Sequence, residues 1–223
     1  MEIEQLGFSV DADPQLWIPV PLEYPYAEWP DVHAWAHAIT VGVLEGIEGV
    51  TTEVEGQFLQ LAHAIADSEA LLPDPQARFW YFPVFGGPMH LCHLYASPIE
   101  MLDGLSLVES AAGGADEQAP QRVEEQQIPG FSQSWCITLL DELPPALRDL
   151  ELSAGDPEVG GADGSIERSL ETGIAFGSIR FIGEQSGIVL MLEASGTNIE
   201  GLAGMKDDLA ALFGTIRVDG SVA

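Results

Sequence analysis

The sequence is short of positive charge. It holds seven Lys and Arg against 36 Asp and Glu, for a formal net charge of −29, and its single lysine is Lys206. No Lys or Arg precedes Arg78. Over the same stretch stand Glu2, Glu4, Asp11, Asp13, Glu23, Glu28, Asp31, Glu45, Glu48, Glu53, Glu55, Asp67, Glu69 and Asp74. A surface of that sign repels phosphate backbones and anionic lipid leaflets, which argues against nucleic-acid or membrane-surface binding. It attracts basic proteins and divalent cations. Solubility, a high-salt cytoplasm or a lineage-wide drift of composition would leave the same mark.

Cysteine is equally scarce. Cys92 and Cys136 are the only two, both in apolar strand-like runs. Two buried, reduced thiols are expected, with a disulfide between neighbouring strands left open. No run approaches the ~20 apolar residues that span a bilayer. Residues 1–20 have neither the basic nor the apolar region of a secretory signal, so the expected location is cytoplasmic. There is no phosphate loop, dinucleotide fingerprint, Gly-x-Ser-x-Gly elbow or Cys-x-x-Cys pair. The Gly-Gly pairs at 86–87, 113–114 and 160–161 read as turns.

What is present is apolar residues in ordered patterns. Hydrophobic residues make up 46 % of 223 positions, enough for one sizeable core. A single domain is expected over 1–223: an extended arm (1–26), a helical layer (27–72), and a sheet with a carboxy-terminal helix (77–218). Within the arm, Leu6 to Val10 and Trp17 to Pro21 suit short edge strands, because proline cannot donate to a central ladder. Val32, Trp35, Ala36, Ile39, Val43 and Ile47 predict a helix from Pro30 to about Glu48, closed by Gly46 and Gly49. A capping box from Thr52 to Glu55 opens a second helix that ends before Pro73.

Residues 77–96 predict a hairpin turning through Gly86-Gly87-Pro88, and 106–111 a strand. Gln121 to Gln127 and Ser132 to Leu140 form a further strand pair. Residues 112–121 and 153–165 read as loops. Thr172 to Ile182 and Gly187 to Ala194 form the clearest hairpin, turning over 183–187. A capping box at Thr197 and Glu200 starts a last helix, with Thr215 to Val218 a closing strand. Ile188 to Leu192 and Trp135 to Leu140 are apolar on both faces, so they need cover on both sides. The expected fold is α+β: a mostly antiparallel sheet with the first two helices on one face and the last helix on the other, an α/β/α sandwich.

The hairpin from Gly173 to Ile182, the strand from Gly187 to Gly196, the helix over 198–212 and the closing Gly214 to Val218 resemble the PsbP-like fold group in element order and apolar pattern. The Trp17-Ile-Pro-Val-Pro21 start is similar too. The resemblance spans about half the chain and does not extend to 27–72 or to a lipid-attachment cysteine. It implies non-enzymatic binding or scaffolding, an analogy of fold.

Several groups of residues have the right chemistry for a site. His33 and His37 stand four apart on the first helix, a spacing at which two imidazoles can share a metal, although no glutamate follows the first histidine. His90 and Cys92 share one face of a strand, a nucleophile or ligand pair, with His93 on the other face. The bland alternatives are surface or boundary histidines flanking Trp35 for the first pair and strand packing beside aromatics for the second. Glu124-Glu125, Asp141-Glu142 and Asp207-Asp208 lack calcium-loop spacing and read as solvated surface. Trp17, Tyr24, Tyr26 and Trp29 crowd the acidic arm and could form a protein-binding surface. The expectation is a non-enzymatic binding or accessory protein without a cofactor, its acidic face engaging a basic protein partner, as secretion chaperones and immunity proteins do. The alternative is a metal-dependent hydrolase using His33/His37 or His90/Cys92.

Overall fold

The computed structural model describes residues 7–112, 121–142 and 175–218. The loop expected at 153–165 and most of that at 112–121 lie outside them. The chain forms an α+β fold around a seven-stranded antiparallel sheet. The strands are β2 (Trp17–Pro19), β3 (Ala77–Tyr81), β4 (His90–Pro98), β5 (Gln121–Gln126), β6 (Gln133–Glu142), β7 (Ala175–Gln185) and β8 (Ile188–Gly196), in the spatial order β2-β3-β4-β8-β7-β6-β5. A separate two-stranded ribbon joins β1 (Phe8–Ser9) to β9 (Arg217–Val218).

Local chemistry places the helices. α1 (Val32–Leu44) is capped by Asp31, whose carboxylate accepts from the Ala34 N–H at 2.8 Å. Pro30 therefore precedes the helix instead of opening it. The helix stops at Leu44, four residues earlier than expected, because Gly46 takes φ +81°, a left-handed geometry that ends the spiral. α2 (Thr52–Asp67) is capped by Thr51 and not Thr52: the Thr51 hydroxyl accepts from Val54 N–H. The last helical stretch divides into α4 (Ile199–Gly204) and α5 (Lys206–Phe213), with buried Met205 between them, and its cap is Asn198 rather than Thr197.

Two expectations need larger correction. Residues 106–111 are not a strand. α3 (Leu107–Ala112) forms there because Ser106 and Glu109 make a reciprocal capping box: Ser106 Oγ accepts from Glu109 N–H, and the Glu109 carboxylate accepts from Ser106 N–H at 2.8 Å. The β7–β8 turn is also tighter than 183–187. Gln185 pairs with Ile188, leaving Ser186 (φ +55°) and Gly187 (φ +80°) as a two-residue turn of the kind that follows strand twist. Gly183 lies inside β7, where Phe131 covers it; a Cβ there would sit 2.5 Å from the Phe131 ring.

Helices cover both faces of the sheet. On one face, Phe79, Cys92, Leu94, Phe181 and Leu192 form a continuous core with Leu202, Met205, Leu209 and Phe213 of α4 and α5. The opposite face carries two separate apolar patches. Trp80 packs with Trp35 and Ala36 of α1 and Phe58 and Ala62 of α2. Farther across, Ile137, Leu139, Ile182 and Val189 pack under Leu107 and Ala111 of α3. Cys92 and Cys136 are buried, free, and on strands separated by β8 and β7. Three strand spacings amount to ~14 Å, beyond the ~7 Å that a disulfide can bridge.

Candidate functional site

Between the two apolar patches, four strands contribute one polar residue each. The registers Arg78↔His93, His93↔Glu193 and Arg180↔Glu193 align Arg78, His93, Glu193 and Arg180 in a row across β3, β4, β8 and β7. All four are buried. Arg180 Nε and Nη2 both donate to Glu193 Oε1, at 2.8 and 2.7 Å, and Nη1 donates to the Ala111 carbonyl at the end of α3. Arg78 donates to the carbonyls of Ala66 and Ser68 at the end of α2, and to that of Pro21 in the arm. Each arginine thus satisfies carbonyls at a helix carboxy terminus, where a cation is favoured. Burial, followed by the Arg78 charge, pushes the His93 pKa down to about 4, so its imidazole is neutral at pH 7. Arg78 Nε, His93 Nε2 and Glu193 Oε2 have no hydrogen-bond partner among the described residues. The row ties both helical patches to the sheet and is closed to solvent.

His90 and Cys92 do share a face, as alternation requires, with His93 on the other. Cys92 is fully buried, and burial, with a smaller contribution from Glu193, raises its thiol pKa well above the ordinary value. Burial lowers the His90 pKa. A neutral thiol beside a neutral imidazole lacks the thiolate that a cysteine nucleophile needs. His90 Nε2 instead faces α4, where a Cβ on Gly201 would lie 2.7 Å away.

His33 and His37 are both exposed on α1. The histidine that meets His33 is His63 of α2: His33 Nδ1 lies 3.2 Å from His63 Nε2, and the rings meet edge to edge with centroids 5.3 Å apart. Among the described residues, no group of three or more His, Cys, Asp or Glu is placed to hold a metal. The paired acids are occupied singly. Glu124 bonds Lys206 and, at 2.8 Å, Arg122; Asp208 accepts from the Tyr81 hydroxyl at 2.6 Å. Side chains 141 and 142 lie outside the description.

The four arm aromatics divide. Trp17 is 2 % exposed and packs on Tyr81 inside the core, so it offers no surface. Tyr24 and Trp29 lie half-buried against the α1–α2 core. Burial raises the Tyr24 pKa; Arg78 opposes this, while Asp67 and Asp31 add to it. Tyr26 is 50 % exposed, stacked on Trp29 at 6.2 Å. It forms one wall of a groove of about 930 Å³ beside the short edge strand β2. Pro19, Pro21, Pro25 and Pro75 shape the groove, Phe79 adds an apolar surface, and Glu23 and Asp74 supply charge.

The groove opens on an anionic surface. Every Asp and Glu between residues 7 and 77 is exposed, and no Lys or Arg lies among them. Arg78 also lines the groove, but it is buried and its guanidinium donates to three backbone carbonyls. The sequence reading found the acidic stretch and Tyr26. It missed the groove, the polar row and His63, because each depends on which distant segments meet. A comparison of the chain with protein-family models finds no match, and neither does a search of curated proteins. Among the described residues, no helix is long and apolar enough to cross a membrane.

Proposed function

We propose that the protein is a non-enzymatic binding or accessory protein, and that the groove beside β2 receives a basic, extended segment of a partner protein. The observation that carries this reading is the excess of exposed negative charge around the groove. Glu23 and Asp74 line it, Asp31 and Asp67 act on nearby Tyr24, and the one cation among residues 7–78, Arg78, also lines it but is buried with its guanidinium held by backbone carbonyls. The stacked Tyr26–Trp29 pair and the four prolines add a rigid apolar contact of the kind that anchors interfaces. Aliphatic stems of Lys and Arg can lie along such a wall while their charged ends meet carboxylates.

The cytoplasm is the proposed location, and basic proteins the proposed partner class. The order of hairpin, helix and closing strand over 175–218 supports the proposed kinship with the PsbP-like fold group, a kinship that implies binding rather than catalysis. The test is stopped-flow association with an oligolysine peptide across a salt series. A steered encounter slows steeply as salt rises. An association rate independent of salt would sink the proposal.

A further inference from the structure

Two imidazoles on different helices meet at a distance that suits more than a hydrogen bond. His33 near the start of α1 and His63 near the end of α2 bring Nδ1 and Nε2 to 3.2 Å. A tetrahedral metal with two bonds of about 2.05 Å to nitrogen holds those nitrogens ~3.3 Å apart. The pair therefore has the nitrogen spacing of a two-histidine chelate, and rotation of the two solvent-facing rings about their side-chain bonds turns both lone pairs towards one metal. The helical hairpin fixes that spacing, through the buried contacts of Trp35 and Ala36 with Phe58 and Ala62. Both rings reach solvent: His33 is exposed and His63 half-exposed. The surrounding layer has exposed carboxylates and no Lys or Arg, so its field concentrates divalent cations at the surface.

We propose that His33 and His63 form a clamp for a divalent transition metal of the zinc and copper class. The metal takes the place of the proton shared between Nδ1 and Nε2. That proton moves through solvent to the outer nitrogen of the same ring, so both imidazoles ligate in the neutral form. The described residues supply no third ligand, so water fills the remaining positions. Imidazole donors favour copper over zinc, and both over magnesium or calcium. The clamp staples α1 to α2 and does not depend on the groove's role.

The test is calorimetric titration of the tag-free chain with Zn²⁺ in excess Mg²⁺, which occupies scattered carboxylates. One zinc per chain is expected. His33→Ala and His63→Ala should each weaken binding by about a hundredfold or more, at or beyond the top of the range for loss of an outer-sphere contact. His37→Ala should leave binding unchanged, and circular dichroism with His63→Gln checks that the hairpin still folds. With Cu²⁺, electron paramagnetic resonance should show coupling to two nitrogens in the parent chain. Absence of zinc binding, binding undiminished in the His33→Ala/His63→Ala double variant, or equal dependence on His37 would overturn the proposal. The contact would then be a helix–helix hydrogen bond only.

Discussion

Replacing Glu193 with leucine should be among the most damaging single changes to this sheet. Glu193 is 1 % exposed and accepts two hydrogen bonds from the buried Arg180 guanidinium. Leucine fills most of the space but leaves a cation uncompensated at the centre of β7. Breaking a buried pair from one side costs about 3–5 kcal/mol, a large part of the ~5–15 kcal/mol that usually separates folded from unfolded chains. Removing both charges with Arg180→Met/Glu193→Leu should recover most of that loss. A residue of about 1 kcal/mol should persist, because Arg180 also holds the Ala111 carbonyl at the end of α3. Urea unfolding of the parent, both single variants and the double variant closes the cycle. Additive single costs, or a Glu193→Leu cost below ~1 kcal/mol, would refute the argument that the row is an interacting buried unit.

Three further outcomes follow from the geometry. Folding lowers the His93 pKa from 6.5 to about 4, chiefly by burial. Below pH 6.5 the unfolded chain takes up a proton that the folded chain refuses. Stability should therefore fall by about 3 kcal/mol between pH 6.5 and 4, and that part of the slope should vanish in His93→Gln; an unchanged slope contradicts the assignment. His90, also depressed by burial, adds in the same direction. Thr51→Ala should cost about 1 kcal/mol in thermal unfolding and Thr52→Ala only a few tenths, since Thr51 is the α2 cap; the reverse order would restore the cap to Thr52. Gly183→Ala should destabilise by about 1–3 kcal/mol, because its methyl group meets the Phe131 ring and the Gln133 carbonyl; a neutral result in urea would show that Phe131 yields freely.

The strands that can be read from the chain are those whose neighbours in space are neighbours in sequence. The hairpins β3–β4, β5–β6 and β7–β8 each follow from apolar runs and an intervening turn. The opposite orientation of Cys92 and His93 follows from alternation alone. Caps were harder, because Thr51 and Thr52 are identical and only geometry decides which one bonds Val54. α3 carried its signal in Ser106-Leu-Val-Glu109, but the short apolar run reads equally as a strand. Gly183 reads as a turn until Phe131 is seen to lie over it. The Arg78–His93–Glu193–Arg180 row depends on the register of four strands, one of them 100 residues from its neighbour in the sheet (His93 and Glu193). The His33–His63 contact spans 30 residues and needs the helical hairpin to form first.

In the proposed function, the acidic charge acts at one place, the groove beside β2. Two variants carry the same change in net charge. Glu23→Lys/Asp74→Asn removes the two acids that line the groove, and Glu48→Lys/Glu55→Gln changes two exposed acids that do not line it. The decisive measurement is the association rate of an oligolysine peptide with each at low salt. About a tenfold slowing is expected for the groove variant and a much smaller change for the other. Equal slowing in both would show that the peptide responds to net charge alone, and would contradict a localised binding site.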